Sequence, residues 1–288
     1  MLVPPPDLSG REAILRVHTR GKPLADDVDL QLVARQTSGL TGADLANLCN
    51  EAAIFAARQH RDVIVHSDFD SALERVVAGM QSRKALNEHE RRVIAFHEAG
   101  HALCAELLPG VDRAHRISIV PRGRALGYTL NLPEEDRYLK TRDELIDQMT
   151  MLLGGRAAEE IVFGACTTGA SNDLERVADI SRAMVHEYAM GTSISALKLA
   201  AEGGAVSDRT RQLRDSEQQH LADEAMRRAI RLITEYREQL DGLAFGLLRN
   251  EVLERADIDH VMAGIETRRG GAPRGLRVVA AEAGDGSP

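Results

Sequence analysis

Apolar residues recur every three or four positions along most of this chain, which is the spacing that places them on one face of an α-helix. Over residues 7–80 the spacing predicts three or four short helices packed as a bundle. Ser9 is expected to cap the first helix, because a serine hydroxyl can accept a hydrogen bond from a free helical N–H. Thr41 and Asp44 predict a capping box at the start of the strongest helix, and Ser67 is expected to begin another.

One segment of the chain departs from helical spacing and predicts strands. Near Ile117 and Ile119, apolar residues alternate with polar or smaller ones, as they do in a half-buried strand. Residues 122–124 predict a turn and residues 126–132 a returning strand. The sequence therefore indicates a small β-hairpin within a mainly α-helical protein.

Helical spacing resumes after this hairpin. Thr141 and Glu144 predict a second capping box, and Gly164 is expected to end that helix. Gly154-Gly155, inside the helix, indicates close contact with a neighbouring element.

The last third of the chain is predicted to contain one long helix. Apolar residues at three- and four-residue steps predict that it runs through Ala229, Leu240 and Leu247. Residues 201–216 are polar and lack periodicity, so we expect a mobile loop before it. Residues 268–288 are rich in glycine, proline and alanine, and we expect them to be disordered.

The composition narrows the function. Aromatic residues make up 3% of the chain and tryptophan is absent, so small aliphatic side chains must fill the core, which favours helices. A net charge of −8, without a basic face, argues against a nucleic-acid partner. The three cysteines have no CxxC spacing, which argues against a disulfide framework or a cysteine zinc site. No apolar run approaches the roughly 18 residues of a membrane span, and we expect this chain to be soluble.

The segment His97-Glu98-Ala99-Gly100-His101 carries the strongest chemical signal. On a helix, residues four apart share a face, so both imidazoles could bind one metal ion while Glu98 acts on a water molecule. That arrangement is typical of a zinc hydrolase. The alternative is a pair of core histidines with ordinary hydrogen-bond partners. The surrounding residues are apolar, and burying unpaired polar groups among them is costly, which favours the metal.

A catalytic zinc ion usually takes three protein ligands, so a third must come from elsewhere in the chain. Asp173 follows a polar loop at the predicted start of a helix, where a carboxylate is also stabilised by the helix dipole. Glu159 and Glu160 lie on a predicted helix, as the third ligand does in some zinc hydrolases. His186 is expected to be structural. Spacing alone leaves Asp173 and the two glutamates nearly equal.

Several segments together resemble the FtsH-type ATP-dependent zinc metalloproteases, and the match runs in order over roughly residues 1–265. The resemblance implies an AAA+ lid over residues 1–80, a mostly α-helical, zincin-like M41 peptidase domain over residues 81–267 and a tail over residues 268–288. The segments that carry it are Gly39–Leu48, Asn50–Ala53, His97–His101, Ile119–Gly127, Gly154–Glu160 and Thr168–Leu174.

The resemblance also implies roles for single residues. His97 and His101 match the zinc-binding histidines, Glu98 the catalytic glutamate and Asp173 the third ligand, which would favour Asp173 over the glutamates. One Zn²⁺ per chain is therefore expected. The strand near Gly127–Thr129 corresponds to the edge along which an extended peptide substrate would pair.

The resemblance implies a homo-hexamer that degrades unfolded polypeptides, with ATP-driven unfolding of misfolded and membrane proteins. In the family this occurs in the cytoplasm or at the cytoplasmic face of the bacterial inner membrane. Within these 288 residues we find no GxxxxGK[ST] phosphate loop. We therefore expect the chain not to hydrolyse ATP, and to be either a fragment or a partner of a separate ATPase. The alternative function is a non-catalytic, oligomerising assembly module with a structural metal site.

Overall fold

The computed structural model describes residues 5–78, 86–121, 126–131, 139–193 and 207–265. These residues form a mainly α-helical protein with a small antiparallel sheet, which confirms the predicted fold class. None of the helices in these ranges is long and apolar enough to cross a membrane.

The N-terminal part is a four-helix bundle in the described residues. Thr41 and Asp44 form the predicted capping box, with the Thr41 N–H donating to Asp44 at 2.9 Å. The first helix is capped by Asp7 rather than by Ser9, because the Asp7 carboxylate accepts the Gly10 N–H at 2.8 Å. Ser67 lies inside the fourth helix, which begins one residue earlier than predicted. The helices are α1 (Leu8–His18), α2 (Leu30–Gln36), α3 (Gly42–Arg58) and α4 (His66–Ala78).

The larger C-terminal part surrounds one central helix, α5 (Glu88–Leu107), in which every residue from Val93 to Leu107 is buried. Thr141 and Glu144 form the second predicted capping box, and Gly164 ends its helix with a left-handed backbone. The other elements are β1 (Ala114–Ser118), β2 (Tyr128–Asn131), α6 (Arg142–Phe163), a 3-10 helix (Thr168–Ala170), α7 (Ser171–His186), α8 (Asp208–Glu235), α9 (Arg237–Asn250), β3 (Val252–Glu254) and α10 (Arg255–Val261).

The described strands form one sheet in the order β2-β1-β3, with both pairings antiparallel. The predicted hairpin is β1 with β2, although β2 covers only part of the predicted 126–132. Its turn at 122–124 lies outside the described residues. The third strand has three residues, too few for an alternating pattern to be recognised in the sequence.

Two predictions for the C-terminal helices are wrong. Residues 208–216 are helical and not a loop, because Ser207 caps α8 and Arg214 is buried where an apolar residue would have revealed the periodicity. The predicted long helix is two helices, because the backbone of Tyr236 leaves helical geometry between α8 and α9. The predictions for residues 201–206 and 268–288 concern segments outside the described ranges.

The described residues contain two separate hydrophobic cores, one within α1–α4 and one built around α5 and α6. The predicted domain boundary near residue 80 falls in a segment that is not described, so it stays a prediction. The α5 and α6 backbones touch, because a Cβ on Gly100 would lie 2.4 Å from the carbonyl oxygen of Gly154. The close contact predicted for Gly154 is therefore present, and it brings α6 against the segment from His97 to His101.

Candidate metal centre

Helix α5 brings the two histidines of the HExxH segment together. His97 and His101 lie one turn apart on the same face, and their Nε2 atoms are 3.0 Å apart. Both side chains are buried. The helical spacing predicted in the sequence thus produces a pair of imidazoles that face a common point.

Asp173 contributes a carboxylate to the same point from another helix. It lies in the first turn of α7, directly after the 3-10 helix. Its Oδ2 atom is 3.5 Å from Nε2 of His97 and 3.4 Å from Nε2 of His101. These are the three residues that, within the described part of the chain, are grouped closely enough to hold a metal ion.

The competing candidates lie elsewhere. Glu159 contacts the opposite side of the His97 ring, with Oε1 2.7 Å from Nδ1, and its Oε2 accepts the Thr167 N–H at 2.6 Å. Glu160 is exposed. His186 lies at the far end of α7, where its Nε2 is 3.3 Å from the amide nitrogen of Gln218. The geometry therefore groups Asp173, and neither glutamate, with the Nε2 atoms.

The contacts at Nδ1 define the tautomer of both histidines. Nδ1 of His101 lies 2.8 Å from the carbonyl oxygen of Met151, and a carbonyl can only accept, so this nitrogen carries the proton. Nδ1 of His97 faces the Glu159 carboxylate in the same way. Each neutral ring then directs the lone pair of Nε2 toward the centre. Hydrogen bonds of this kind commonly orient metal-binding histidines.

The three central atoms fit a zinc ion. In the neutral tautomers two Nε2 lone pairs and a carboxylate oxygen converge, and a cation, whether a proton or a metal ion, would relieve their mutual repulsion. A tetrahedral zinc site with bonds of about 2.0–2.1 Å separates its ligand atoms by about 3.3–3.4 Å. The two separations from Asp173, 3.4 and 3.5 Å, are close to that spacing, and the two Nε2 atoms, at 3.0 Å, are somewhat closer together. The donor set of two nitrogens and one oxygen is also one that zinc accepts.

The pKa values show that the cluster attracts positive charge. Burial alone would lower the pKa of His97, but the hydrogen bonds to Asp173 and Glu159 raise it to about 10. Burial would raise the pKa of Asp173, yet hydrogen bonds with His101 and His97 bring it well below its usual range. A proton or a metal ion would supply the positive charge that these atoms favour, and the two compete for the same atoms.

Glu98 is buried next to this cluster without joining it. Burial raises the pKa of its carboxyl group, and the opposing influences of His101 and His97 do not cancel this rise. The Thr129 hydroxyl lies 3.0 Å from Oε2 of Glu98. A buried carboxylate with a raised pKa beside a metal-binding cluster suits a group that exchanges protons.

Two residues lie against the candidate catalytic residues, a contact that the sequence did not predict for either. Gly155 lies against the imidazoles, and a Cβ there would come within 2.6 Å of Cε1 of His97 and 2.7 Å of Nε2 of His101. The glycine pair in α6 gave a signal of close contact but did not identify what it contacts. Thr129 gave no signal, because threonine is ordinary in a strand.

Comparison with known proteins identifies the family. The model of peptidase family M41 matches residues 84–261. The chain belongs to peptidase family M41. The model of the AAA+ lid domain matches residues 27–71. The enzyme class expected from the sequence, a metalloprotease, is thereby confirmed.

Several proteins named ATP-dependent zinc metalloprotease FtsH are similar to nearly the whole chain. The one from Thermotoga maritima is 45% identical over 277 residues, which are 91% of this chain and 45% of that protein. Those from Pseudothermotoga lettingae and Cutibacterium acnes are 46% and 45% identical over 89% and 88% of this chain. The chain spans less than half the length of each of these relatives.

Proposed function

We propose that this chain is a zinc-dependent endopeptidase that hydrolyses peptide bonds in unfolded polypeptides. The observation that carries this proposal is the convergence of two Nε2 lone pairs and the Asp173 carboxylate at tetrahedral spacing, beside a buried glutamate. Three protein ligands leave one position open, which is the arrangement of catalytic zinc sites.

In this mechanism His97, His101 and Asp173 would hold one Zn²⁺ per chain. When bound, the ion supplies a Lewis acid that polarises the scissile carbonyl and lowers the pKa of water toward about 7. Glu98 accepts a proton from the attacking water and delivers it to the amide nitrogen as the peptide bond breaks. Glu159 and the Met151 carbonyl keep the two Nδ1 protons in place, so that both rings present Nε2 to the ion.

The substrates and assembly are inferred from the relatives. The relatives are named as ATP-dependent zinc metalloproteases, and residues 27–71 match an AAA+ lid. We infer that this chain provides the lid and peptidase parts of such an assembly, in a homo-hexamer to which an ATPase delivers unfolded chains of misfolded or membrane proteins. An extended substrate would pair along β2, which in the described sheet has β1 on one side only.

The rival function is an assembly module with a structural metal. Structural zinc sites are closed by four protein ligands. The metal-binding group in the described residues contains three, and a buried carboxyl group with a raised pKa, that of Glu98, lies beside it. Both observations favour catalysis.

The test measures peptide hydrolysis and metal content together. We expect a chelator to abolish hydrolysis of an unfolded substrate by the purified chain and added zinc to restore it. Glu98→Gln should keep stoichiometric zinc while kcat falls by at least about 100-fold, because the amide cannot accept the proton. Glu160→Gln makes the same change at an exposed position of α6 and should leave kcat unchanged. Full activity of Glu98→Gln, or activity in the metal-free protein, would refute the proposal.

A further inference from the structure

The two oxygens of the Glu98 carboxylate face different residues of one strand. Oε2 lies 3.0 Å from the hydroxyl of Thr129 on β2. Oε1 lies beside Gly127, the residue just before β2, where a Cβ would approach it to 2.7 Å and the Glu98 Cγ to 2.9 Å. One neighbour therefore offers a hydrogen bond, and the other, because it has no side chain, lets Oε1 lie close to the chain.

The geometry of a strand explains why these two residues act together. Residues two apart on a strand point to the same face of the sheet, so Gly127 and Thr129 both face Glu98. Strand β2 is fixed in register on β1, with Thr129 opposite Ile117 and Tyr128 opposite Ser118. Ile117 is fully buried in the larger core. The position of Thr129 is thus tied to the core through its pairing with Ile117.

A glutamate needs such support more than the histidines do. Its side chain has three rotatable bonds, and the carboxylate of Glu98 is buried, where few water molecules could orient it. The Thr129 hydroxyl is also 3.3 Å from the backbone carbonyl oxygen of Glu98, so the longer contact competes with the shorter one for a single proton. A hydrogen bond to a charged carboxylate is the stronger of the two.

We propose that Thr129 is a positioning residue for Glu98: its hydroxyl donates to Oε2 and leaves Oε1, which lies beside Gly127, as the oxygen that takes the proton. This inference rests on the proposed role of Glu98 as the general base. In the step, an O–H bond of water breaks, its electron pair stays on the water oxygen, and an Oε1–H bond forms. Thr129 donates a hydrogen bond throughout and gains or loses no proton.

The test separates the hydroxyl from the shape of the side chain. Thr129→Val keeps the branched shape and removes the donor, and Thr129→Ser keeps the donor. We expect Thr129→Val to lower kcat by about 10-fold or more with little change in KM and zinc content, and Thr129→Ser to retain most of the activity. Thr37→Val is the matched control, because Thr37 is buried in the N-terminal bundle and donates to the Val33 carbonyl oxygen. It should leave kcat unchanged.

A double variant shows whether Thr129 acts through Glu98. In a Glu98→Gln background, Thr129→Val should cause no further loss, since the base that it orients is already gone. Equal loss in both backgrounds, or wild-type kcat in Thr129→Val, would overturn the inference while leaving the proposed function intact. Full activity of Glu98→Gln alone would overturn the proposed function, and the inference with it.

Gly127→Ala tests the close approach of the chain to Oε1 and keeps the Thr129 hydroxyl. The added methyl group would crowd Oε1 and also approach the backbone oxygen of Ser118 to 2.9 Å. We expect kcat to fall while zinc stays bound. Wild-type kcat in a folded Gly127→Ala protein would remove Gly127 and Oε1 from the proposal.

Discussion

The carboxylates beside His97 contact different nitrogens of its ring. Glu159 lies at Nδ1, where it accepts the ring proton, and Asp173 lies near Nε2, where the lone pair points. A carboxylate at Nδ1 fixes the ring orientation and cannot share an ion held at Nε2. We therefore propose Asp173 as a ligand and Glu159 as the residue that orients His97, which metal binding can test.

Asp173→Ala should lower zinc affinity far more than Glu159→Ala does. Removal of the aspartate takes away one of three ligands, whereas loss of an orienting carboxylate typically costs about 10- to 100-fold. Glu160→Ala, on the exposed side of α6, is the control and should bind zinc as the wild type does. Competition titration with a chromophoric chelator gives the three affinities. Equal zinc affinity in Asp173→Ala and wild type would exclude the aspartate as a ligand.

The site illustrates what could be predicted from single residues. His97, Glu98 and His101 form a compact pattern whose spacing matches a helical turn, so their proximity follows from local geometry. Asp173 is 72 positions beyond His101 by number, and only the packing of α7 against α6 brings the two together. The residues alone left the third ligand open, and the family resemblance favoured Asp173. The role of Thr129 depends on the register of β2 on β1, which no local pattern specifies.

At the scale of elements, α8 binds the chain that follows α7 through hydrogen bonds. Glu217 on α8 is buried, and its carboxylate accepts the backbone N–H groups of Thr192 and Ser193. Burial alone would raise the pKa of Glu217, but these hydrogen bonds bring it below the usual 4.5. The carboxylate form therefore stabilises the folded state above that pH, and the contribution is lost as the pH falls through the lower folded-state pKa.

Glu217→Gln should lower the melting temperature at pH 7, because one amide cannot accept both N–H groups with a negative charge. The difference from wild type should shrink as the pH falls from about 4.5, the unfolded-state pKa, through the lower folded-state pKa, where the folded wild-type carboxylate becomes protonated. Asp215→Asn removes a charge from an exposed position of the same helix and serves as the control. A melting difference that stays constant from pH 7 to pH 3 would contradict this account.

The same scale shows why some elements were predicted and others were not. The capping boxes at Thr41 and Thr141 were predicted correctly because both partners of each box are three residues apart. The first turns of α8 were missed, because two of the side chains that it buries, Arg214 and Glu217, are charged. The break at Tyr236 was missed because apolar residues continue across it without a glycine or proline to mark it.

At the scale of the whole molecule, the chain matches the AAA+ lid domain and peptidase family M41 but spans less than half the length of the relatives described above. We expect the purified 288-residue protein to cleave unfolded casein at a rate indifferent to ATP and to leave stable folded proteins intact. A domain stable by about 5–15 kcal/mol rarely exposes its chain. The measurement compares both substrates with and without ATP. Degradation of the folded substrate that ATP stimulates would contradict the expectation.

The three residues of the proposed site lie in parts of the fold that differ in local stability. His97 and His101 belong to the continuously buried run of α5, whereas Asp173 lies in the first turn of α7, next to a helix of three residues. Helix ends open locally at a small fraction of the free energy that a core helix requires. An ion held by these residues would therefore leave through fraying at Asp173, while both imidazoles stay in place. Metal exchange would then be faster than unfolding, and one bound ion would be replaced by another while the protein stays folded.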